Sequence, residues 1–87
     1  MHESSLVRGL ISQIETIVRD KGGGTVTSVS IRVGTLMVLS DEHLQATFAT
    51  LTAGSPLEGA RLNLSWARRI DTAEAQELLI ESIEVMD

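Results

Sequence analysis

Eighty-seven residues, 43% of them hydrophobic and 22% charged, make one domain with room for a single core, and exclude a disordered segment or a coiled coil. Seven Lys and Arg against twelve Asp and Glu leave a net charge of −5, which excludes the phosphate neutralisation on which nucleic-acid binding rests. Cysteine is absent, so disulfides, thiolate catalysis and Cys-based zinc motifs are excluded together.

From Ser5 to Lys21, Leu6, Leu10, Ile14 and Ile17 join Val7, Ile11 and Val18 in one broad apolar stripe at a period near 3.6, which predicts a helix. Ser4 or Ser5 is the expected cap, and Gly22-Gly23-Gly24 is expected to end the helix. The three glycines are no phosphate loop, since no strand precedes them and no Gly-Lys-Ser/Thr follows. Val26 to Val33 alternates Val29, Ile31 and Val33 with Ser30 and Arg32, predicting a half-buried strand that Gly34 ends.

Thr35 to Leu39 is an apolar run of ambiguous type. Ser40 then reads as the N-cap of a second helix, with Asp41 and Glu42 in its first turn and Leu44, Phe48 and Leu51 on its buried side. Gly54 and Pro56 close it. In the next strand Leu62, Leu64 and Trp66 share one face and Arg61, Asn63 and Ser65 the other, so Trp66 is expected in the core.

Arg68 to Gln76 is a polar connection. The last strand, Leu78 to Met86, changes phase between Leu78/Ile80 and Ile83/Val85, which a bulge near Glu81 or Ser82 reconciles. The order α-β-α-β-β predicts an α/β (α+β) fold: a small three-stranded mixed sheet with two helices packed on one face.

No stretch of about 18 apolar residues exists for a membrane span, and Met1 to Leu10 lacks the features of a signal peptide, so a cytoplasmic protein is expected. No Ser-His-Asp pattern, nucleotide loop or catalytic carboxylate grouping occurs, so no enzyme is expected.

The chemistry concentrates at Met1-His2-Glu3. The α-amino group, the His2 amide nitrogen and the His2 imidazole can close chelate rings on one cation, with the Glu3 carboxylate or amide beside them. That donor set is nearly planar and suits Ni(II) or Cu(II) better than tetrahedral zinc. His43 reads as a solvated histidine near a helix start. Asp41 is an outer-shell candidate only if the Gly34 to Ser40 loop folds beside the N-terminus.

Met1-His2-Glu3, Gly34 after a strand, Gly54-Ser55 followed by Glu58-Gly59-Ala60 and a strand, and the ending Glu77-Leu78-x-Ile80-x-Ser82-Ile83-Glu84-Val85 together resemble the HypA family. The resemblance implies a nickel metallochaperone for NiFe-hydrogenase maturation, and in some organisms urease maturation. Met1, His2 and Glu3 would hold Ni(II), and the ion would pass to a hydrogenase large subunit in concert with the GTPase HypB.

Family members also carry a zinc domain with two Cys-x-x-Cys pairs between the second and third strands. Here that stretch is Arg68 to Ala75 without a cysteine, so residues 1–87 are expected to be a single nickel-binding domain that folds without zinc. Three readings stand open: the nickel carrier, a zinc-less adaptor docking on the maturation GTPase without metal, and a chaperone for another metalloenzyme. An exposed edge strand also allows a homodimer.

Overall fold

A computed structural model of the chain describes residues 3–34, 40–66 and 78–86. The elements run α1 (Glu3–Asp20), β1 (Thr25–Val33), α2 (Asp41–Thr52), β2 (Arg61–Trp66) and β3 (Leu78–Met86). The strands form a mixed sheet in the order β2-β1-β3, with β1 parallel to β2 and antiparallel to β3. Both helices cover one face, as the element order predicts. None of the described helices is long and apolar enough to cross a membrane.

α1 starts earlier than the apolar stripe suggests, and Ser4 and Ser5 lie inside it, so neither is its cap. Residues of a first turn forfeit no intrahelical hydrogen bond, and an acidic residue there is favoured by the helix dipole, so extension back to Glu3 costs little. At the other end the glycines act as expected. The Gly23 amide donates to the Val18 carbonyl at 2.8 Å and the Gly22 amide to the Arg19 carbonyl at 3.1 Å, a Schellman pair that needs positive φ at Gly22, which has 108°.

Gly24 is required for a second reason. Its φ is +117°, and a Cβ added there would stand 2.6 Å from Val85 Cγ1 and 3.3 Å from the Met86 carbonyl oxygen. The turn lies under the end of β3. Gly24→Ala is therefore expected to destabilise the fold by about 2 kcal/mol or more through strain and overpacking together. Gly22→Ala, with no atom within 4 Å of the added Cβ, loses only the backbone share. Urea midpoints of the two variants measure the difference.

The core is aliphatic apart from Phe48. Val7, Leu10, Ile11, Ile14 and Val18 of α1 meet Val26, Val29, Ile31 and Val33 of β1, with Leu44 and Phe48 of α2 closing the far side. Val26 and Val29 are both buried although three apart, which a strict two-residue alternation forbids. A register shift at Thr27 restores the phase. The same device operates on β3, where Ser30 pairs with Ser82 but Ile31 with Ile80, so Glu81 is the extra residue and Ile80 and Ile83 reach one face. The expected bulge is therefore at Glu81.

Two side chains depart from expectation. Ile17 is 39% exposed because it sits on the flank of the α1 stripe, about 75° from its centre. Trp66 has the inward phase but is 40% exposed, since it ends an edge strand and, among the described residues, no strand lies on its outer side. On α2, Thr52 is buried in addition to Leu44 and Phe48, and its hydroxyl is satisfied by donating to the Phe48 carbonyl at 2.7 Å.

Candidate metal centre

Topology brings Glu3 and Asp41, the candidate residues whose backbone is described, to one end of the sheet. The short glycine turn between Asp20 and Thr25 reverses the chain, so α1 runs back along β1. Its 18 residues rise about 27 Å and the nine of β1 about 30 Å, which brings Glu3 level with the carboxyl end of β1 near Val33. α2 returns between two parallel strands and so also begins at their carboxyl ends. Two helix N-termini and the carboxyl ends of β1 and β2 thus share one pole, the general location of ligand sites in open α/β sheets.

Met1 and His2 lie outside the described residues. Glu3 is the first residue of α1, and its side chain also lies outside the described set. The opening amides of a helix have no intrahelical acceptor, so the Glu3 backbone nitrogen is not claimed by the α1 ladder. The positive end of the dipole favours negative groups there, deprotonated amide donors included. The buried Val7 and Leu10 anchor the turns that follow.

Ser40 caps α2 as the sequence predicts. It has φ −105° and ψ 150°, and its hydroxyl accepts from the His43 amide at 3.1 Å. Asp41 is exposed and accepts from Gln45 Nε2 at 3.2 Å; the same nitrogen donates to the Leu62 carbonyl at 2.7 Å. Gln45 thereby ties the first turn of α2 to β2 and holds Asp41 at the pole where the two helices begin. The loop on which its outer-shell role depends, residues 35–39, lies outside the described residues. His43 is exposed, in keeping with a solvated histidine.

Among the described residues no three His, Asp or Glu side chains converge as a metal cluster. The sequence did not reveal the polar network on the face of the sheet opposite the helices. Glu81 accepts from Arg32 Nη2 at 3.0 Å and from the Ser65 hydroxyl at 2.9 Å, and Glu84 accepts from the Ser28 hydroxyl at 2.9 Å. Strand register was the missing signal, because it alone sets Ser28 opposite Glu84. Also unanticipated was an apolar recess of about 390 Å³ at the opposite pole, where α1 ends beside Pro56 and Leu57.

A family model described as hydrogenase/urease nickel incorporation, metallochaperone, hypA matches residues 1–70. The hydrogenase maturation factor HypA of Archaeoglobus fulgidus is 38% identical over 68 residues, which cover 78% of this chain and 62% of that protein. The HypA of Methanopyrus kandleri is 31% identical over 68 residues, covering 78% and 48%, and that of Deinococcus radiodurans 34% over 64 residues, covering 74% and 53%. The chain thus matches about half to three-fifths of the length of these curated relatives. The solution structure of the Ni metallochaperone HypA from Helicobacter pylori superposes with a TM-score of 0.84 over 99% of this chain and 98% of that one; at 16% identity the likeness is one of fold.

Proposed function

The chain belongs to the HypA family, and from that premise we propose that it binds Ni(II) through Met1, His2 and Glu3 and delivers the ion during NiFe-hydrogenase maturation, or that of urease. The observation that carries this reading is the reach of the family match, which begins at residue 1 and so includes the whole donor tripeptide. The α-amine, the His2 amide and the His2 imidazole supply the nitrogen donors, the Glu3 amide or carboxylate completes the plane, and Asp41 is the outer-shell contact. A HypB-like GTPase and the hydrogenase large subunit are the partners, in the cytoplasm. Nickel is cargo, and the protein works by ligand exchange without turnover.

A planar set of consecutive donors favours transfer over storage, since a recipient's ligands can approach from either side of the plane. Arg68 to Ala75 is the stretch that, by the family resemblance, stands in place of the zinc module, and a connection without cysteine needs no zinc. The lack of cysteine also favours a second reading, an adaptor that docks on the GTPase without carrying metal.

Calorimetric and visible-absorption titration with Ni(II), on protein that begins at an unblocked Met1, decides between them. One equivalent bound in a planar nitrogen-rich environment is the expected result, whereas a flat titration leaves the adaptor. Binding needs a neutral imidazole and an unprotonated amine, so affinity is highest at alkaline pH and falls as pH drops through the histidine range. Repeating the titration across that range checks the sign.

A further inference from the structure

The face of the sheet opposite the helices has two unlike halves. Toward the carboxyl ends of β1 and β2 its charges satisfy one another, with Arg32 and Ser65 both donating to Glu81. At the other end they do not. There Thr27, Ser28, Gly59, Arg61, Asn63 and Glu84 line a polar cavity of about 370 Å³. Ser28 pairs with Arg61 on one side and with Glu84 on the other, so a cation and an anion flank it in a single cross-strand row.

Three groups in this cavity keep unused bonding capacity. The Arg61 guanidinium and the Asn63 amide, neighbours on the same face of β2, make no hydrogen bond or ion pair among the described residues. Glu84 accepts from the Ser28 hydroxyl through Oε1 at 2.9 Å, which leaves its Oε2 without a partner there. The register shift in β1 shapes the floor. Because Val26 and Val29 both turn to the core, Thr27 and Ser28 present adjacent hydroxyls on the opposite side, and Thr27 donates to the Glu84 carbonyl at 3.1 Å. Bulges recur beside functional sites because they re-aim side chains in this way.

We propose that this cavity binds a free α-amino acid as its zwitterion, the carboxylate held by Arg61 and Asn63 and the ammonium by Glu84. Charge selects the ligand. A simple anion would meet the Glu84 carboxylate and a simple cation the Arg61 guanidinium, each a repulsive contact at short range. A ligand carrying both signs satisfies both ends, and a guanidinium fork beside an amide donor also matches a carboxylate in shape. The hydroxyls and the bare backbone of Gly59 suit a short polar side chain, which makes serine the probe.

The cavity lies at the amino ends of β1 and β2, the pole away from Glu3 and Asp41. It goes beyond the nickel reading and does not require it.

Amide NMR spectra of the full chain, titrated with L-serine into the tens of millimolar, test the proposal. Saturable shifts at Thr27, Ser28, Arg61, Asn63 and Glu84 are expected, with a dissociation constant in the millimolar range because water competes for exposed groups. Acetate and methylammonium, each carrying half of the charge pattern, should bind at least about tenfold more weakly. Arg61→Gln and Glu84→Gln should each weaken serine binding about tenfold or more, while Arg32→Gln, at the far end of the same face, leaves it unchanged. Arg61 is exposed and unbonded among the described residues, so Arg61→Gln keeps the wild-type far-UV circular dichroism. An absence of saturable shifts, acetate binding as tightly as serine, or unchanged binding in Arg61→Gln overturns the proposal. Failure to bind nickel leaves it standing.

Discussion

His2→Ala is expected to lower Ni(II) affinity by more than about a hundredfold, since changes to mere outer-shell partners already cost about 10- to 100-fold and this one removes a direct ligand. The loss is large because the imidazole closes a chelate ring with its own amide. Without it the terminal amine and amides retain only a weak, open chelate. One extra residue ahead of Met1 should do comparable damage, because it moves the amine out of ring-closing register with the imidazole.

Glu3→Gln separates the two donors that Glu3 offers. It keeps the amide and removes the carboxylate charge, so a small effect assigns the amide. Isothermal titration of the three proteins makes the comparison, and wild-type affinity in His2→Ala would remove the site.

Phe48→Ala should be the most damaging single change to stability. Phe48 is 3% exposed, and truncating such a ring costs about 3–5 kcal/mol in lost transfer energy and residual cavity. A domain of this length has only about 4–13 kcal/mol to lose. Urea denaturation should show a lower midpoint, and the melting temperature should fall by at least about 12 °C. A loss below about 1 kcal/mol would mean that α2 is not anchored through this side chain.

The two predictions are coupled through one property of the ligand set. Its direct donors are consecutive in the chain, so folded and unfolded protein can both close the chelate, and nickel should stabilise the fold very little. Phe48→Ala should therefore retain most of its nickel affinity even where it is partly unfolded. A steep loss of affinity in that variant would instead show that the fold supplies a donor, and Asp41, held through Gln45 at the pole where the two helices begin, is the residue to examine.

The helices and strands were legible wherever one local rule governed them. The 3.6-residue stripe from Leu6 to Val18, the glycine stop and the Ser40 cap needed no knowledge of the rest of the chain, since capping and amphipathicity act within a turn or two. The phase change in β3 was legible for the same reason, and the bulge falls within the two residues it pointed to. Trp66 and Ile17 were misjudged because periodicity assigns a face but not the extent of the cover over it. Their exposure depends on where the sheet ends and on how far the described elements cover each flank of α1.

The proposed tripeptide Met1-His2-Glu3 and the α-β-α-β-β order were read from the sequence alone, the first because its candidate donors are adjacent and the second because hydrophobic period and turn residues are local signals. Only the tertiary structure decided that both helices open at one pole of the sheet, that Glu81 and Glu84 turn inward over the face opposite the helices, and that β3 is an edge among the described strands. Each of these depends on strand order and register, which pair residues as far apart as Ser28 and Glu84 and leave no mark in either segment read by itself.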